Sequence, residues 1–104
     1  MALGNINGQE VRGLGSVLCR IGDTVLIHAN PQVRFVLSST GETEPTGTVE
    51  DGVVVIKVGG LSSGQGQSAR VLVELAADRA IRVLYAAQLL GEGIWQLSYT
   101  FLEE

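Results

Sequence analysis

The chain has 104 residues, of which 45% are hydrophobic and 17% charged, and its formal net charge is −4. That length fits one domain with a modest core, and a charged share below the typical ~25% excludes an intrinsically disordered chain. The acidic balance argues against a protein that grips a phosphate backbone, a task that needs a basic footprint.

Cys19 and His28 are the single representatives of their types. Neither an internal disulfide nor a metal site built from cysteine clusters or histidine pairs can be assembled from them. The N-terminal stretch "MALGNINGQEVRGLG" has no charged n-region and no long apolar segment, so no signal peptide is expected. Unbroken apolar runs such as Val53 to Ile56 fall far short of a membrane span. The expectation is a soluble chain made in a reducing compartment, with a virion or the cytoplasm as candidate locations and no membrane partner.

Residues 1–14 contain three glycines and little periodicity. They read as an extended N-terminal arm or a loosely paired first strand, leaving 15–104 as a single β domain. "SVLCRIGDTVLIHANPQVRFVLSS" (16–39) gives three short β-like runs. Gly22-Asp23 is a candidate two-residue hairpin turn, and Asn30-Pro31-Gln32 a second turn, since proline suits a loop better than a central strand. Taking 30–32 as a three-residue loop places Ala29 opposite Val33, Ile27 opposite Phe35 and Val25 opposite Leu37 on one apolar face. His28 then lies beside Arg34 on the other.

Residues 38–52 read as a polar loop carrying Glu42, Glu44, Glu50 and Asp51, with Pro45 inside it. "GVVVIKV" (52–58) is a nearly continuous apolar strand of the kind that is covered on both faces. "GVVVIKVGG" (52–60) resembles a nine-residue phrase of the group I chaperonins. The likeness is confined to these residues and includes no nucleotide motif. A Gly/Ser/Gln connection follows to residue 68.

Residues 69–90 fit two periods. Arg70, Glu74, Asp78 and Arg82 are spaced by four, and alanines at 76, 77, 80, 86 and 87 favour a helix. That reading gives an α+β alternative. The segment "IWQLSYTFL" (94–102) decides between them, because it alternates strictly. A three-residue loop at 91–93 sets Leu89 opposite Trp95, Ala87 opposite Leu97, Tyr85 opposite Tyr99 and Val83 opposite Phe101. A turn at 77–79 would pair Leu75 with Ile81 and Val73 with Val83. One apolar face then crosses three strands, which a helix leaves unexplained. The fold expected is all-β: an antiparallel β-sandwich or small, jelly-roll-like barrel of about eight short strands.

Candidate chemistry is sparse. Gly59 and Gly64 have the spacing of a phosphate loop, but Gln65 and Gly66 stand where its lysine and hydroxyl belong. Glu42, Glu44, Glu50 and Asp51 lack the spacing of a calcium loop. His28 and Ser38 come without a nucleophile elbow. Cys19 reads as a small buried hydrophobe, and Trp95, Tyr85 and Tyr99 as core aromatics. No catalytic, cofactor-binding or metal-binding residue is therefore assigned, and no enzyme is expected. The leading expectation is a non-catalytic structural protein that self-associates through β-sandwich surfaces. Its partners would be further copies of itself, a trimer included, or a larger assembly such as a virion, where it would serve as a decoration- or fibre-type accessory subunit. The alternative is a ligand-binding β-module for carbohydrate or another small polar ligand, using loops 38–52 and 59–68. An OB-like nucleic-acid binder ranks last, for want of a basic groove with exposed aromatics.

Overall fold

The computed structural model describes residues 4–6, 8–41 and 46–103. Among the described residues nine strands run in chain order: β1 (Gly4–Ile6), β2 (Gln9–Cys19), β3 (Thr24–Ile27), β4 (Gln32–Leu37), β5 (Gly47–Glu50), β6 (Val53–Val58), β7 (Gln67–Ala76), β8 (Arg79–Gly91) and β9 (Ile94–Glu103). They form a five-stranded sheet in the order β1-β2-β9-β8-β7 and a four-stranded sheet in the order β3-β4-β6-β5. The all-β sandwich expected from the sequence is the fold found, and the region 69–90 is two strands, not a helix. One pairing is parallel: β4 runs alongside β6 because β5 intervenes in sequence and folds back onto the far edge of β6.

The core lies between the sheets. Val33, Phe35, Leu37, Val54, Ile56 and Val58 point down from one sheet onto Val71, Val73, Ile81, Val83, Trp95, Leu97 and Phe101 of the other. These residues alternate along their strands, as period-two geometry requires. Every pair foreseen for β8 and β9 is present, from Leu89–Trp95 to Val83–Phe101. The loop that sets this register differs from the one expected. Gly91 pairs with Ile94 across a two-residue turn in which Glu92 (φ 52°) and Gly93 (φ 77°) are both left-handed, and a bulge at Leu90 supplies the third residue.

Two other registers are two residues away from expectation. Ile27 pairs with Val33 and Val25 with Phe35, so residues 28–32 lie between the last paired positions of β3 and β4. Leu26, not His28, thus stands opposite Arg34. Val73 pairs with Ile81 and Val71 with Val83, because Leu75 bulges out before a tight turn at 77–78. A slip of two preserves which face is buried, so the same apolar side chains still enter the core.

Further corrections concern connections. Gly22-Asp23 does not close a hairpin. The turn from Arg20 to Asp23, closed by Asp23 N–H to Arg20 O at 3.0 Å and by Arg20 N–H to Asp23 Oδ2 at 2.8 Å, carries the chain from one sheet to the other. Part of the expected polar loop 38–52 is strand β5, turned onto β6 through Asp51 (φ 51°) and Gly52 (φ 79°). The boundary expected between residues 14 and 15 falls inside β2, which pairs with β9 from Val11 to Cys19, while Gly4–Ile6 pairs with residues 9–11. Its glycines have a packing reason. A Cβ on Gly13 would collide with the Phe101 ring, and one on Gly15 would sit 2.8 Å from the Tyr99 hydroxyl, so glycine lets the β9 aromatics lie across β2. β6 is covered on its core face by Val54, Ile56 and Val58. On its outer face Val55 is shielded between Arg34 and Thr48, whereas Lys57 is exposed.

Gly13→Ala should destabilise the fold by about 1–3 kcal/mol in urea unfolding, through overlap with Phe101. Ser16→Val, on the outward face of the same strand, should change stability by no more than about 0.5 kcal/mol.

Candidate interaction face

The sequence candidates scatter. His28 is exposed in the β3–β4 loop, its Nδ1 3.4 Å from Gln32 Nε2. Ser38 lies beyond the other end of β4 and forms a local turn, accepting from the Thr40 N–H at 3.2 Å and donating to the Thr40 carbonyl at 3.0 Å. The length of β4 separates the two. Glu50 and Asp51 sit at the β5–β6 turn, and Glu42 and Glu44 lie outside the described residues. The loop after β6 is no phosphate cradle. It makes one 3₁₀ turn, Leu61–Ser63, whose Leu61 is 1% exposed and fills the end of the core.

Trp95 and Tyr85 are core residues, at 1% and 4% exposure. Tyr85 packs edge-on against Phe35, with ring centroids 5.6 Å apart, and its hydroxyl has no hydrogen-bond partner among the described residues. Burial pushes the Tyr85 phenol above its ordinary 10.0. Cys19, held against the Trp95 carbonyl at 3.8 Å, is pushed above its ordinary 9.0 by burial and then by the Asp23 carboxylate. Tyr99 is half-buried and stacks on Phe101 at 5.2 Å.

The surface with most to explain is the outer face of the five-stranded sheet. Its cross-strand rows follow directly from the register. Leu14, Thr100, Leu84 and Arg70 form one row, and Ser16, Ser98, Ala86 and Ser68 the next. Leu102, Arg82 and Leu72 flank the first row, and Leu18, Gln96 and Gln88 flank the second. The small row makes a trough between larger neighbours, an open groove of about 380 Å³ lined by Leu14, Ser68, Arg70, Leu84, Ser98 and Thr100 among others. Leu14, Leu18, Leu72 and Leu90 are between 50% and 62% exposed. A second groove of about 460 Å³ runs from Arg12 and Gly13 to the 27–30 turn. There Arg12 is held by Glu103, with Nε to Oε2 at 3.0 Å, and by Glu10 at 3.1 Å. This contact holds the Glu103 carboxyl below its usual range and ties the start of β2 to the end of β9.

Sequence reasoning missed this face because β2 was divided, its first half read as an arm or loosely paired strand and its second half as a separate β-like run. Once Gly13 and Gly15 are placed inward, the alternation of Leu14, Ser16 and Leu18 outward is plain. The hairpin of β5 was also signalled, by Asp51-Gly52.

No helix among the described residues is long and apolar enough to cross a membrane. Comparison with protein-family models, with curated proteins and with solved structures finds no match to this chain.

Two predictions follow from the buried phenol and thiol. Tyr85→Phe removes a hydroxyl that is buried without a partner, so its stability at neutral pH should equal or exceed that of the native chain. Both groups have folded-state pKa values raised above their unfolded ones, so the stability they preserve is complete below about pH 8.5. It should decline as the pH climbs through 9.0 and 10.0, where ionisation favours the unfolded chain. Denaturant midpoints from neutral to alkaline pH check this, and Tyr85→Phe should flatten the upper part of the fall.

Proposed function

We propose that this protein is a non-catalytic assembly subunit that associates with further copies of itself through its five-stranded sheet. The observation that carries the reading is the outer face of that sheet, where Leu14 and Leu18, both more than half exposed, flank one end of a trough of serine and alanine. Contiguous exposed apolar surface of this kind marks interaction sites. The small trough lets another surface approach the backbone closely, and the leucines give it apolar area to bury. A symmetric homo-oligomer is the common result of a self-complementary patch. A virion accessory subunit of the decoration or fibre type is the particular role we assign, because such subunits work by presenting sheet faces and edges to one another.

A second reading has a specific observation behind it. Ser38 N–H bonds to Val58 O at 2.9 Å and Leu61 N–H to Ser38 O at 3.2 Å, so the loops leaving β4 and β6 meet at one end of the sandwich. A ligand-binding module for a carbohydrate or small polar ligand would use that end. A thermal-shift screen with such ligands separates the readings, since an assembly subunit should show no ligand-dependent stabilisation.

Light scattering on the native chain from micromolar to submillimolar concentration should give a mass at least twice the 11.0 kDa of one copy. Leu14→Lys combined with Leu18→Lys, at exposed positions, should leave the fold intact and weaken association about 10-fold or more. A constant mass of 11.0 kDa would overturn the reading.

A further inference from the structure

The five-stranded sheet ends laterally at β7, an open edge of ten residues. Among the described residues β7 forms a ladder with β8 on one side and no ladder on the other, where β5 of the second sheet packs near it. Exposed edges are usually guarded by proline, lysine, an inward charge or a bulge. "QSARVLVELA" has no proline or lysine, its inward side chains include the buried Val71 and Val73, and its one bulge, at Leu75, falls near its end.

The outward side chains at the centre of this edge are Arg70, Leu72 and Glu74, all exposed. Neither Arg70 nor Glu74 has an ion pair or hydrogen bond among the described residues. Their cross-strand neighbours on β8 are Leu84 and Ala80, which offer no charge. Four residues of strand, about 13 Å, separate the two with Leu72 between them. The stretch Arg70-Val71-Leu72-Val73-Glu74 is complementary to its own reverse. Turned antiparallel about Leu72, it sets Arg70 opposite Glu74 of a second copy, Glu74 opposite that copy's Arg70, Leu72 opposite Leu72, and Val71 opposite Val73. Opposite charges facing each other across strands are stabilising. Backbone groups along a strand point alternately to either side, so a ladder centred on Leu72 forms whether residue 72 or residues 71 and 73 point outward.

We propose that β7 is the self-recognition edge: two copies pair antiparallel through residues 70–74, with the two-fold axis at Leu72, and fuse their five-stranded sheets into one continuous sheet. The inference rests on the self-association reading and adds to its outer-face contact a second one, at the opposite edge of the sheet from Leu14 and Leu18.

Cross-linking and charge reversal test it together. Leu72→Cys should oxidise to a covalent dimer, because residues directly opposite in an antiparallel pair have Cα atoms about 4.5–5.5 Å apart, within disulfide reach. Glu74→Cys should not, because it would face Arg70. Native Cys19, 5% exposed, stays out of reach. Arg70→Glu and Glu74→Arg should each weaken the dimer about tenfold, by facing like charges twice across the axis. The double swap should return affinity to within about threefold of native. A native dimer that ignores both reversals and does not cross-link at residue 72 would overturn the β7 pairing while leaving self-association through another face standing. A native chain that stays monomeric would overturn both.

Discussion

The alignment of β8 with β9 is the constraint on which the rest of the structure depends. Val83 with Phe101, Tyr85 with Tyr99, Ala87 with Leu97 and Leu89 with Trp95 form one apolar face across two long strands. A one-residue slip would turn this whole set outward, and the turn at Glu92-Gly93 with its bulge at Leu90 fixes the register. β2 joins on one side by giving up Cβ atoms at Gly13 and Gly15 to the rings of Phe101 and Tyr99. β7 joins on the other and adds Val71 and Val73 to the same face. The four-stranded sheet closes the core with Phe35, which touches Tyr85, Tyr99 and Phe101.

Functional consequences follow from what this core leaves outside. Trp95, Tyr85 and Cys19, the residues with the most reactive or most recognisable chemistry, are used for packing. His28, Ser38 and Glu50 are spread over separate loops and turns. The outer face of the four-stranded sheet mixes Arg34, Thr48 and Lys57 with Val36 and Val55. That of the five-stranded sheet carries Leu14 and Leu18 beside a floor of serine and alanine, and is bounded by an edge strand on which Arg70 and Glu74 have no partner among the described residues. Recognition of a second sheet is the activity we propose from these features.

Much of the fold was legible in the sequence, and its limits have physical causes. The β8–β9 register could be read because each apolar side chain on one strand found an apolar partner on the other, with no surplus. The β3–β4 and β7–β8 registers were each off by two, since alternation specifies a face but is blind to shifts of two. Only loop length and the Leu75 bulge choose among such shifts, and neither leaves a hydropathy pattern. β5 was hidden in a polar stretch because an edge strand with Thr48 and Glu50 needs little apolar content, although Asp51-Gly52 marked its turn. β2 was split at residue 14 because glycine at an inward position signals a loop in sequence and a close aromatic contact in the fold. The leucine face depended on β2, so it was illegible for the same reason. The Arg70–Glu74 spacing was visible but read as a polar stripe. Its meaning appears only once β7 is known to be an edge.

Amide hydrogen exchange measured across a range of protein concentrations tests the central claim, that this chain works by extending its five-stranded sheet into another copy. Amides in the middle of β8 and β9 should exchange slowly at every concentration, because both strands are paired on both sides. Half of the β7 amides, those pointing away from β8, should exchange quickly in dilute solution and become protected as the concentration rises. Exchange of the β7 amides that is independent of concentration over the whole range would contradict the account.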